Sequence, residues 1–559
     1  MSRSFRDKLI GPGDSVPKFL RRAVSVGVRT GLVRQIGLRG LLRMARLITE
    51  HPVGPGIIHS LYAADYPDRA AVVTPERTLT YAELDTKLNQ FVHGLRGLGI
   101  HRSEKLVIVS PNGWQYLVAF FGAIRGGFSA VHASYRLTAD ELEYIVTHAD
   151  TRALIFAPDC WPAVGEVRRR LEHRDIAWIA TEAVEAAPDV PTLESVLQGQ
   201  PRTFPPGESR EEGAHNVVYT SGTTGRPKGA VRNMSDQGIA EALGILERMT
   251  YRAGERHLVV CPLYHSGAQA FAALHGGGGS TLVVAHSFEP EQTLRLLHSE
   301  RIDSVFLVPT MIRRILDLPP AILRRWRPSL SCLISGAASF PHPLRLRAIE
   351  YFGPVIHDFY GTTENGWLTL VGTEEMLARP NTVGRAIAGA ELLILDNEGA
   401  PLPAGEVGRV TAHSGMVIEG YHADAAATAE SRVGAAQISG DLGYLDEEGY
   451  LYLSGRSTDM IITGGVNAYP AEVEQVLVTH PLVQDVAVLG LPDELWGEAV
   501  AAFVVGPGPE DIPQLKAFCR ARLAGYKVPR VWHFLAELPR NPTGKVLKRE
   551  LRRQYATTA

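Results

Sequence analysis

The chain contains few cysteines and few lysines. Its 559 residues include four cysteines and nine lysines, whereas most of the 57 basic residues are arginine. The cysteines stand far apart and form no C-x-x-C pair: Cys160, Cys261, Cys332 and Cys519. This spacing argues against a disulfide framework or a zinc site and is typical of a reducing cytosol. Because lysine is scarce, Lys228 and Lys545, which both lie in glycine-containing motifs, are candidates for chemistry.

Long apolar runs and a large net charge are also missing from the sequence. No run of about 18 apolar residues occurs, so we expect no transmembrane helix. No signal-peptide core follows the first residues. The net charge of −3 gives no reason to expect a nucleic acid as partner. With 45% apolar and 21% charged residues, the composition is typical of a globular cytoplasmic enzyme.

Residues 1–50 differ in composition from the rest of the chain. They hold eleven basic and three acidic residues, and apolar residues recur at helical spacing at Leu38, Leu41, Leu42, Ala45 and Ile48. The pattern predicts a basic amphipathic helix in an N-terminal extension over residues 1–55. Such a helix can lie on an anionic membrane surface as a peripheral contact, or pack on the protein with its basic face in solvent. Both alternatives stay open.

From residue 56 onward, strand-like and helix-like segments alternate. Buried-strand patterns occur at residues 105–109, 153–156, 217–219, 258–261, 281–284, 305–308 and 332–334. Thr80 and Glu83 form a capping-box pattern before a long amphipathic helix. The alternation predicts an α/β fold with mostly parallel sheets. We expect a large domain over 56–455 that includes a β-rich subdomain, and a small mobile α+β domain over 456–559.

One loop carries the strongest functional signal. Residues 219–229 read Y-T-S-G-T-T-G-R-P-K-G. Glycines permit close backbone approach, and consecutive N–H groups with nearby hydroxyls form an anion-binding nest. The loop follows a strand-like segment, so we expect it at a strand's carboxyl end, where open α/β sheets bind ligands. It is not a Walker A loop, because Pro227 precedes Lys228 and Gly229 follows it. A flexible glycine-rich turn is the alternative.

Further segments contain residue types suited to nucleotide chemistry. In chain order they are 262–266 (P-L-Y-H-S), 335–339 (S-G-A-A-S), 358–364 (D-F-Y-G-T-T-E), 439–444 (S-G-D-L-G-Y), 455–462 (G-R-S-T-D-M-I-I), 464–474 (G-G-V-N-A-Y-P-A-E-V-E) and 541–545 (N-P-T-G-K). The Asp441 carboxylate can accept both hydroxyls of a ribose, and Glu364 offers oxygens for a hard cation. Taken singly, His265 is more typical of a structural histidine, and Lys545 is more typical of a solvated basic helix start.

In this order, the segments resemble the adenylate-forming superfamily, which comprises acyl-CoA synthetases, peptide-synthetase adenylation domains and luciferases. The resemblance covers about residues 56–554 and is greatest to a fatty acyl-CoA synthetase. It implies an ATP and AMP site formed by Thr220, Ser221, Gly222, Thr223, Thr224, Gly225, Lys228, Gly336, Ala337, Ala338, Asp358, Phe359, Tyr360, Gly361, Thr363, Asp441, Arg456 and Lys545. It also implies Mg²⁺ on Glu364 and passage of coenzyme A past Gly464 and Gly465.

The resemblance assigns roles to single residues. Tyr360 is expected to stack on adenine, Thr363 to contact the α-phosphate, and Asp441 with Arg456 to hold the ribose. Lys545 is expected to bridge the substrate carboxylate and the α-phosphate, as a fixed cation where charge develops. The catalytic residues implied are therefore Lys545, Thr363, Glu364 and His265, the last beside the acyl pocket and the approaching thiol.

Two positions depart from the superfamily's pattern. Thr458 stands at the interdomain hinge, where members usually carry Asp or Lys, and Arg232-Asn233 stands where many have Thr-His. A hinge only has to absorb a change in φ and ψ. The departure at Thr458 therefore bears on the balance between domain arrangements and not on the reaction.

The implied reaction has two steps. A carboxylate attacks the α-phosphate of ATP, giving acyl-AMP and pyrophosphate, and the thiol of coenzyme A then attacks the adenylate. Medium- or long-chain fatty acids are the preferred substrates, since apolar residues around Phe271, Leu274 and glycines 276–279 predict a deep pocket. One alternative is an enzyme that loads a carrier-protein thiol, and another is a non-catalytic acyl- or nucleotide-binding protein. We expect a monomer or a homodimer with small-molecule partners.

Overall fold

Three sheets organise the computed structural model, which describes residues 15–37, 40, 42–43, 58–205, 215–220, 227–233, 238–463, 466–493, 495–541 and 544–555. The strands of these residues are β1 (Ala70–Val73), β2 (Thr78–Thr80), β3 (Lys105–Val109), β4 (Ser129–His132), β5 (Thr151–Phe156), β6 (Ala177–Ala180), β7 (His215–Thr220), β8 (Lys228–Asn233), β9 (Arg256–Val259), β10 (Thr281–Val284), β11 (Ser304–Phe306), β12 (Cys332–Gly336), β13 (Ile356–Thr362), β14 (Gly366–Gly372), β15 (Gly384–Ala386), β16 (Ala390–Leu395), β17 (Gly408–Ser414), β18 (Gly420–Tyr421), β19 (Arg432–Val433), β20 (Ala436–Leu445), β21 (Tyr450–Arg456), β22 (Ile461–Thr463), β23 (Val466–Ala468), β24 (Asp485–Asp493), β25 (Gly497–Val505) and β26 (Val531–Leu535).

Helices cover the sheets. In the same residues they are α1 (Val16–Arg29), α2 (Ile58–Asp65), α3 (Tyr81–Gly97), α4 (Trp114–Gly126), α5 (Ala139–His148), α6 (Trp161–Arg170), α7 (Leu193–Leu197), α8 (Ile239–Arg248), α9 (Ser266–Gly277), α10 (Pro290–Ser299), α11 (Pro309–Leu316), α12 (Pro320–Arg325), α13 (His342–Phe352), α14 (Thr373–Ala378), α15 (Ala425–Glu430), α16 (Pro470–Leu477), α17 (Ile512–Arg520) and α18 (Lys548–Tyr555). The predicted capping box begins α3: the Thr80 hydroxyl accepts the Glu83 N–H, and the Glu83 carboxylate accepts the Thr80 N–H.

The first sheet changes from parallel to antiparallel halfway across. Its order is β16-β17-β20-β21-β15-β14-β13-β12-β11-β9-β10-β1-β2, with β19 beside β20. The strands from β10 to β13 pair in parallel, whereas β13 and β14 pair antiparallel, as do the strands beyond them. The β-rich region therefore continues the same hydrogen-bonded ladder. The α/β class predicted from the sequence is confirmed.

The second sheet carries the glycine-rich loop. Its order is β18-β8-β7-β4-β3-β5-β6, and β7, β4, β3, β5 and β6 are parallel. Leu106, Val107 and Ile108 of β3 are fully buried, as expected for a parallel strand covered on both faces. The helices α3 and α4 lie so close that a Cβ at Gly122 would stand 2.4 Å from the Phe91 ring. This contact requires glycine.

The third sheet, β23-β22-β25-β24 with β26 on β25, has its own apolar core around Val488 and Val504. It touches the rest of the protein through Arg313 of α11, which donates to the Gln484 carbonyl at 2.8 Å and lies 3.5 Å from Asp485. The sheet begins at Ile461, five residues after β21 ends. The domain boundary at 455/456 stays a prediction.

Helix α1 lies within the N-terminal extension predicted over residues 1–55, but before the residues whose spacing predicted a helix. It packs on α8, where Phe19 contacts Ala240 and Leu243 and Arg22 pairs with Glu247 at 3.0 Å. Most of the helix predicted over residues 38–48 lies outside the described residues. No helix in the described ranges is long and apolar enough to cross a membrane.

Candidate active site

The glycine-rich loop joins two antiparallel neighbours of the second sheet. Strand β7 ends at Thr220 and β8 begins at Lys228, and these two residues are register partners. The loop thus leaves the carboxyl end of β7, as predicted. Its central residues lie outside the described residues, as does the Thr220 side chain: Ser221, Gly222, Thr223, Thr224 and Gly225. The Lys228 ammonium lies 3.7 Å from the Asp424 carboxylate and 5.4 Å from the centroid of the Tyr421 ring.

The side chains of Asp358 and Phe359, both on β13, lie in different surroundings. Asp358 forms a buried ion pair with Arg345 at 2.8 Å. Burial raises the pKa of Asp358 to about 6, although the Arg345 cation lowers it. Phe359 is buried, with its ring centroid 5.4 Å from that of Phe271 and 5.7 Å from that of Phe306. The side chains of Asp358 and Phe359 are therefore occupied within the body, which leaves their expected nucleotide contact to the backbone.

Tyr360, Asp441 and Arg456 form a hydrogen-bonded group. The Tyr360 hydroxyl donates to Asp441 Oδ2 at 2.7 Å, and Arg456 Nε lies 2.9 Å from Asp441 Oδ1. Strands β20 and β21 place Asp441 opposite Arg456. Burial and the Asp441 charge raise the pKa of Tyr360 well above its usual value, so the phenol stays a neutral donor. Asp441 thus presents a carboxylate whose position is fixed from both sides.

Thr363 and Glu364 follow β13 and are held by a half-buried arginine. Arg232 of β8 donates to the Thr363 carbonyl at 2.7 Å and to the Met416 carbonyl at 2.8 Å. Burial lowers the pKa of Arg232 to about 10, while the Glu364 and Glu241 charges raise it. The guanidinium therefore remains charged at neutral pH. In the sequence, Arg232 appeared only as a departure from the superfamily's pattern. The feature that could have identified it is a basic residue within a strand that packs against the site.

Glu364 is a single carboxylate at this site. The Tyr421 hydroxyl donates to Glu364 Oε1 at 3.2 Å. Across the described ranges, no three His, Cys, Asp or Glu residues come together as a metal site. One protein carboxylate fits Mg²⁺ that is bound chiefly through phosphates and water. The residues present are consistent with Mg²⁺ arriving together with a nucleotide.

Lys545 belongs to the C-terminal part of the chain but faces the same site. Burial lowers the pKa of Lys545, and the Arg456 cation lowers it further. Three carboxylates act on the same ammonium and raise this pKa: Asp441, Asp459 and Glu364. Although the side chain is exposed to solvent, the protein around it partly desolvates the charge. The structure thus brings Lys545 together with residues far away in sequence.

The turn that carries Lys545 fits closely against the body. Gly544 has φ +78°, and a Cβ there would stand 2.0 Å from Thr310 Oγ1 at the start of α11. The Lys545 N–H donates to Asn541 Oδ1 at 2.8 Å. Positive φ and close approach both require glycine at residue 544. The contact with α11 therefore sets the position of the lysine.

The turn after β12 has an unusual backbone. Ala337 has φ +67°, a conformation that costs about 1 kcal/mol for a residue with a Cβ. A Cβ at Gly336 would lie 2.5 Å from the Phe359 ring, and one at Gly361 would lie 2.0 Å from the Gly366 carbonyl oxygen. These small residues, with Ala338, let the ends of β12 and β13 approach each other closely. Backbone strain of this kind is common at functional sites.

His265 lies at the start of α9. Burial lowers the pKa of His265 to about 4, so the imidazole is neutral at pH 7. Its Nε2 atom is buried and has no hydrogen-bond partner within the described ranges. The Tyr264 ring lies 4.2 Å away between centroids. A buried ring nitrogen without a partner is costly unless a ligand or water satisfies it.

The deep pocket predicted around Phe271, Leu274 and glycines 276–279 does not extend to Gly278 and Gly279. A Cβ at Gly278 would stand 1.4 Å from the Tyr251 hydroxyl, and one at Gly279 would stand 2.1 Å from Gln35 Nε2. Gly278 and Gly279 therefore admit neighbouring side chains, whereas a Cβ at Gly276 or Gly277 would make only ordinary contacts. Near the other end of α9, Phe271 lies in an aromatic cluster with Phe306, Phe359 and Trp367.

The remaining predicted residues are the glycines expected beside coenzyme A and the hinge residue Thr458. Gly464 and Gly465 lie outside the described residues, between β22 and β23. Thr458 lies in a short 3₁₀ turn, Ser457–Asp459, directly after β21. The predicted hinge residue thus follows the end of a strand, where a change of φ and ψ would disturb little.

A glycine-rich loop on one sheet, a carboxylate fixed by its neighbours on another and a lysine from a third small unit are the features expected of adenylate-forming enzymes. The chain belongs to the AMP-binding enzyme family: the model of that family matches residues 61–422, and that of the AMP-binding enzyme C-terminal domain matches residues 472–545. The predicted superfamily is therefore confirmed. Ligases of this family use ATP with Mg²⁺, and coenzyme A as co-substrate.

Characterised relatives differ in substrate and acceptor. The chain is 31% identical over 490 residues to the long-chain-fatty-acid–CoA ligase FadD13 of Mycobacterium tuberculosis, covering 86% of this chain and 94% of the relative. It is 31% identical over 506 residues to the fatty acid–[acyl-carrier-protein] ligase ScoC of Streptomyces coeruleorubidus, covering 89% and 95%. The crystal structure of the anthranilate CoA ligase AuaEII with anthranoyl-AMP matches with a TM-score of 0.83 and 26% identity, covering 90% and 98%.

Proposed function

We propose that this protein is an ATP-dependent carboxylic acid:CoA ligase that acts on a medium- or long-chain fatty acid. The observation that carries the proposal is that Lys545, on a turn fitted against α11, feels the charges of Arg456, Asp441 and Glu364. A lysine so placed serves the first half-reaction, because a fixed cation stabilises the charge that develops as a carboxylate attacks a phosphate ester.

In the first step, an oxygen of the substrate carboxylate forms a bond to the α-phosphorus, and the bond from that phosphorus to the oxygen bridging to the β-phosphate breaks. Lys545 stands between the substrate carboxylate and the α-phosphate. Asp441 accepts the ribose hydroxyls, and Thr363 contacts the α-phosphate. Glu364 would hold Mg²⁺, whose charge would offset that of the departing pyrophosphate.

In the second step, the thiolate of coenzyme A attacks the acyl carbon and AMP leaves. Lys545 has to withdraw, because the same face of the adenylate receives the thiol. Two of the contacts that hold it are the Arg313–Asp485 ion pair and the fit of Gly544 against Thr310. Rotation at Thr458 breaks both. The Nε2 atom of His265, which is neutral at pH 7 and has no hydrogen-bond partner in the described residues, is available to hydrogen-bond the incoming thiol.

Two observations support a fatty acid as the substrate. The region next to the adenylate site is walled by buried aromatic side chains, Phe271, Phe306 and Trp367, and such a wall suits an apolar acyl group. Two relatives at 31% identity carry fatty acid in their names. Because AuaEII is named for an aromatic acid, the substrate panel includes aromatic acids.

A carrier-protein thiol is the second candidate acceptor, since ScoC is named as a ligase to acyl-carrier protein. The test measures acid-dependent pyrophosphate release with fatty and aromatic acids, with and without coenzyme A, and identifies the products. We expect fatty acyl-CoA and AMP. Accumulation of acyl-AMP with no thioester would contradict the proposed acceptor. No pyrophosphate release with any acid, despite ATP binding, would favour a non-catalytic binding protein.

A further inference from the structure

The outer face of α1 is aliphatic. Val16, Leu20, Val24 and Val28 recur every four residues and are 37%, 56%, 61% and 65% exposed. Residues at this spacing lie along one side of a helix. We call these four residues the α1 stripe. A surface helix normally turns polar residues outward, so the stripe needs a reason other than packing in the core.

The opposite face fixes α1 firmly to the protein. Phe19 and Val26 are 7% and 1% exposed, and Val26 joins the main apolar core. The Thr30 hydroxyl caps the end of the helix by donating to the Val26 carbonyl at 2.7 Å. With the Arg22–Glu247 pair, these contacts hold the helix in one orientation. The stripe is therefore presented as a fixed surface.

Basic residues border the stripe. Residues 15–37 contain five basic and no acidic residues, and Lys18, Arg21 and Arg34 are exposed. Two copies of this surface would bring like charges together, which opposes self-association. An anionic lipid surface instead offers acyl chains to the stripe and headgroup charge to its border.

We propose that α1 docks in the plane of an anionic bilayer, with the α1 stripe among the acyl chains and Lys18, Arg21 and Arg34 at the headgroups. The proposal does not depend on which acid the active site uses. It chooses between the two alternatives that the composition of residues 1–50 left open, and it assigns the contact to a helix different from the one predicted.

The experiment is flotation of the full-length protein with vesicles of phosphatidylcholine, with or without phosphatidylglycerol. The test variant is Leu20→Ser/Val24→Ser. The matched control, Leu346→Ser/Leu377→Ser, removes two exposed leucines elsewhere (44% and 50% exposed). Activity with soluble substrates and the thermal midpoint report that each variant is folded.

We expect the wild-type protein and the control to float with anionic vesicles, and the stripe variant to remain at the bottom. Arg21→Gln/Arg34→Gln is expected to weaken vesicle partition about fivefold for each charge removed, and added salt to weaken the wild type. Equal flotation of the stripe variant and the wild type would overturn the proposal. So would binding that is the same on neutral and anionic vesicles. A stripe variant that loses dimerisation while its flotation is unchanged would assign the surface to a second copy of the chain.

Discussion

Arg232 offers a sharp test of how the catalytic segment is held. We consider Arg232→Met, which keeps the length of the side chain and removes its charge and donors. The guanidinium donates to the carbonyls of Thr363 and Met416, and each charge-assisted bond is worth about 1.5–3 kcal/mol. Relief of a buried charge offsets part of this loss, so we expect a decrease of about 3 kcal/mol in the free energy of unfolding. Lys at residue 232 cannot serve both carbonyls.

The same substitution is expected to lower the catalytic efficiency of the enzyme with ATP. Thr363 and Glu364 lose their anchor, and a positional loss of about 1.4 kcal/mol in the transition state lowers kcat/KM for ATP about tenfold. The matched control is Arg409→Met, since Arg409 also donates to backbone carbonyls, those of Asp396 and Asn397, away from the site. Urea denaturation and pyrophosphate-release kinetics measure the two effects. If Arg232→Met loses stability but keeps kcat/KM for ATP within about twofold, the positioning argument is refuted.

Three further predictions concern the Tyr360–Asp441 pair, the pH dependence of stability and the position of Lys545. Tyr360→Phe removes one donor to Asp441 and should lower kcat/KM for ATP about fivefold to thirtyfold; an unchanged value would contradict the role of the pair. Burial lowers the pKa of His132 to about 3, below the unfolded value of about 6.5. Its stabilising contribution is therefore complete above pH 6.5 and is lost as the pH falls toward 3. We expect urea titrations to show a loss of about 1.4 kcal/mol per pH unit from this group, and His132→Asn to flatten the slope; a slope unchanged by the substitution would refute the assignment. Gly544→Ala should slow adenylation while thioester formation from supplied acyl-AMP persists. Gly525→Ala, where a Cβ meets open space, is its control, and equal rates in the two would contradict the fit against α11.

Local patterns predicted much of the fold. The strands β3 and β10 occur at the predicted residues, 105–109 and 281–284, and the capping box at Thr80 is present. These features depend on the burial pattern and hydrogen bonds of neighbouring residues. The path of the first sheet could not be predicted, because β15 pairs with β21 about 66 positions later and no local pattern encodes that partner.

Sequence motifs predicted the site residues whose side chains carry a recognisable function. They missed the residues whose role depends on how distant strands pack together. Asp441 lies beside Arg456 as expected, since adjacent strands align them. Arg232 acquires its position from the fold of β8 against the Thr363 segment. The glycines at 276–279 suggested space, whereas Tyr251 fills it at Gly278 and Gln35 fills it at Gly279. Composition shows that a residue is small and does not show what its neighbours place in the gap.

The most direct test of the central claim separates the two half-reactions in Lys545→Ala. The control is Lys548→Ala, which removes a lysine of the same segment that pairs with Glu474 at 2.7 Å. Adenylation is followed by acid-dependent ATP–pyrophosphate exchange, and the second step by acyl-CoA formation from supplied acyl-AMP. We predict that Lys545→Ala slows adenylation about 100- to 1,000-fold and leaves thioester formation nearly unchanged, while Lys548→Ala alters neither. Equal loss of both steps in Lys545→Ala, or full adenylation without this lysine, would contradict the account.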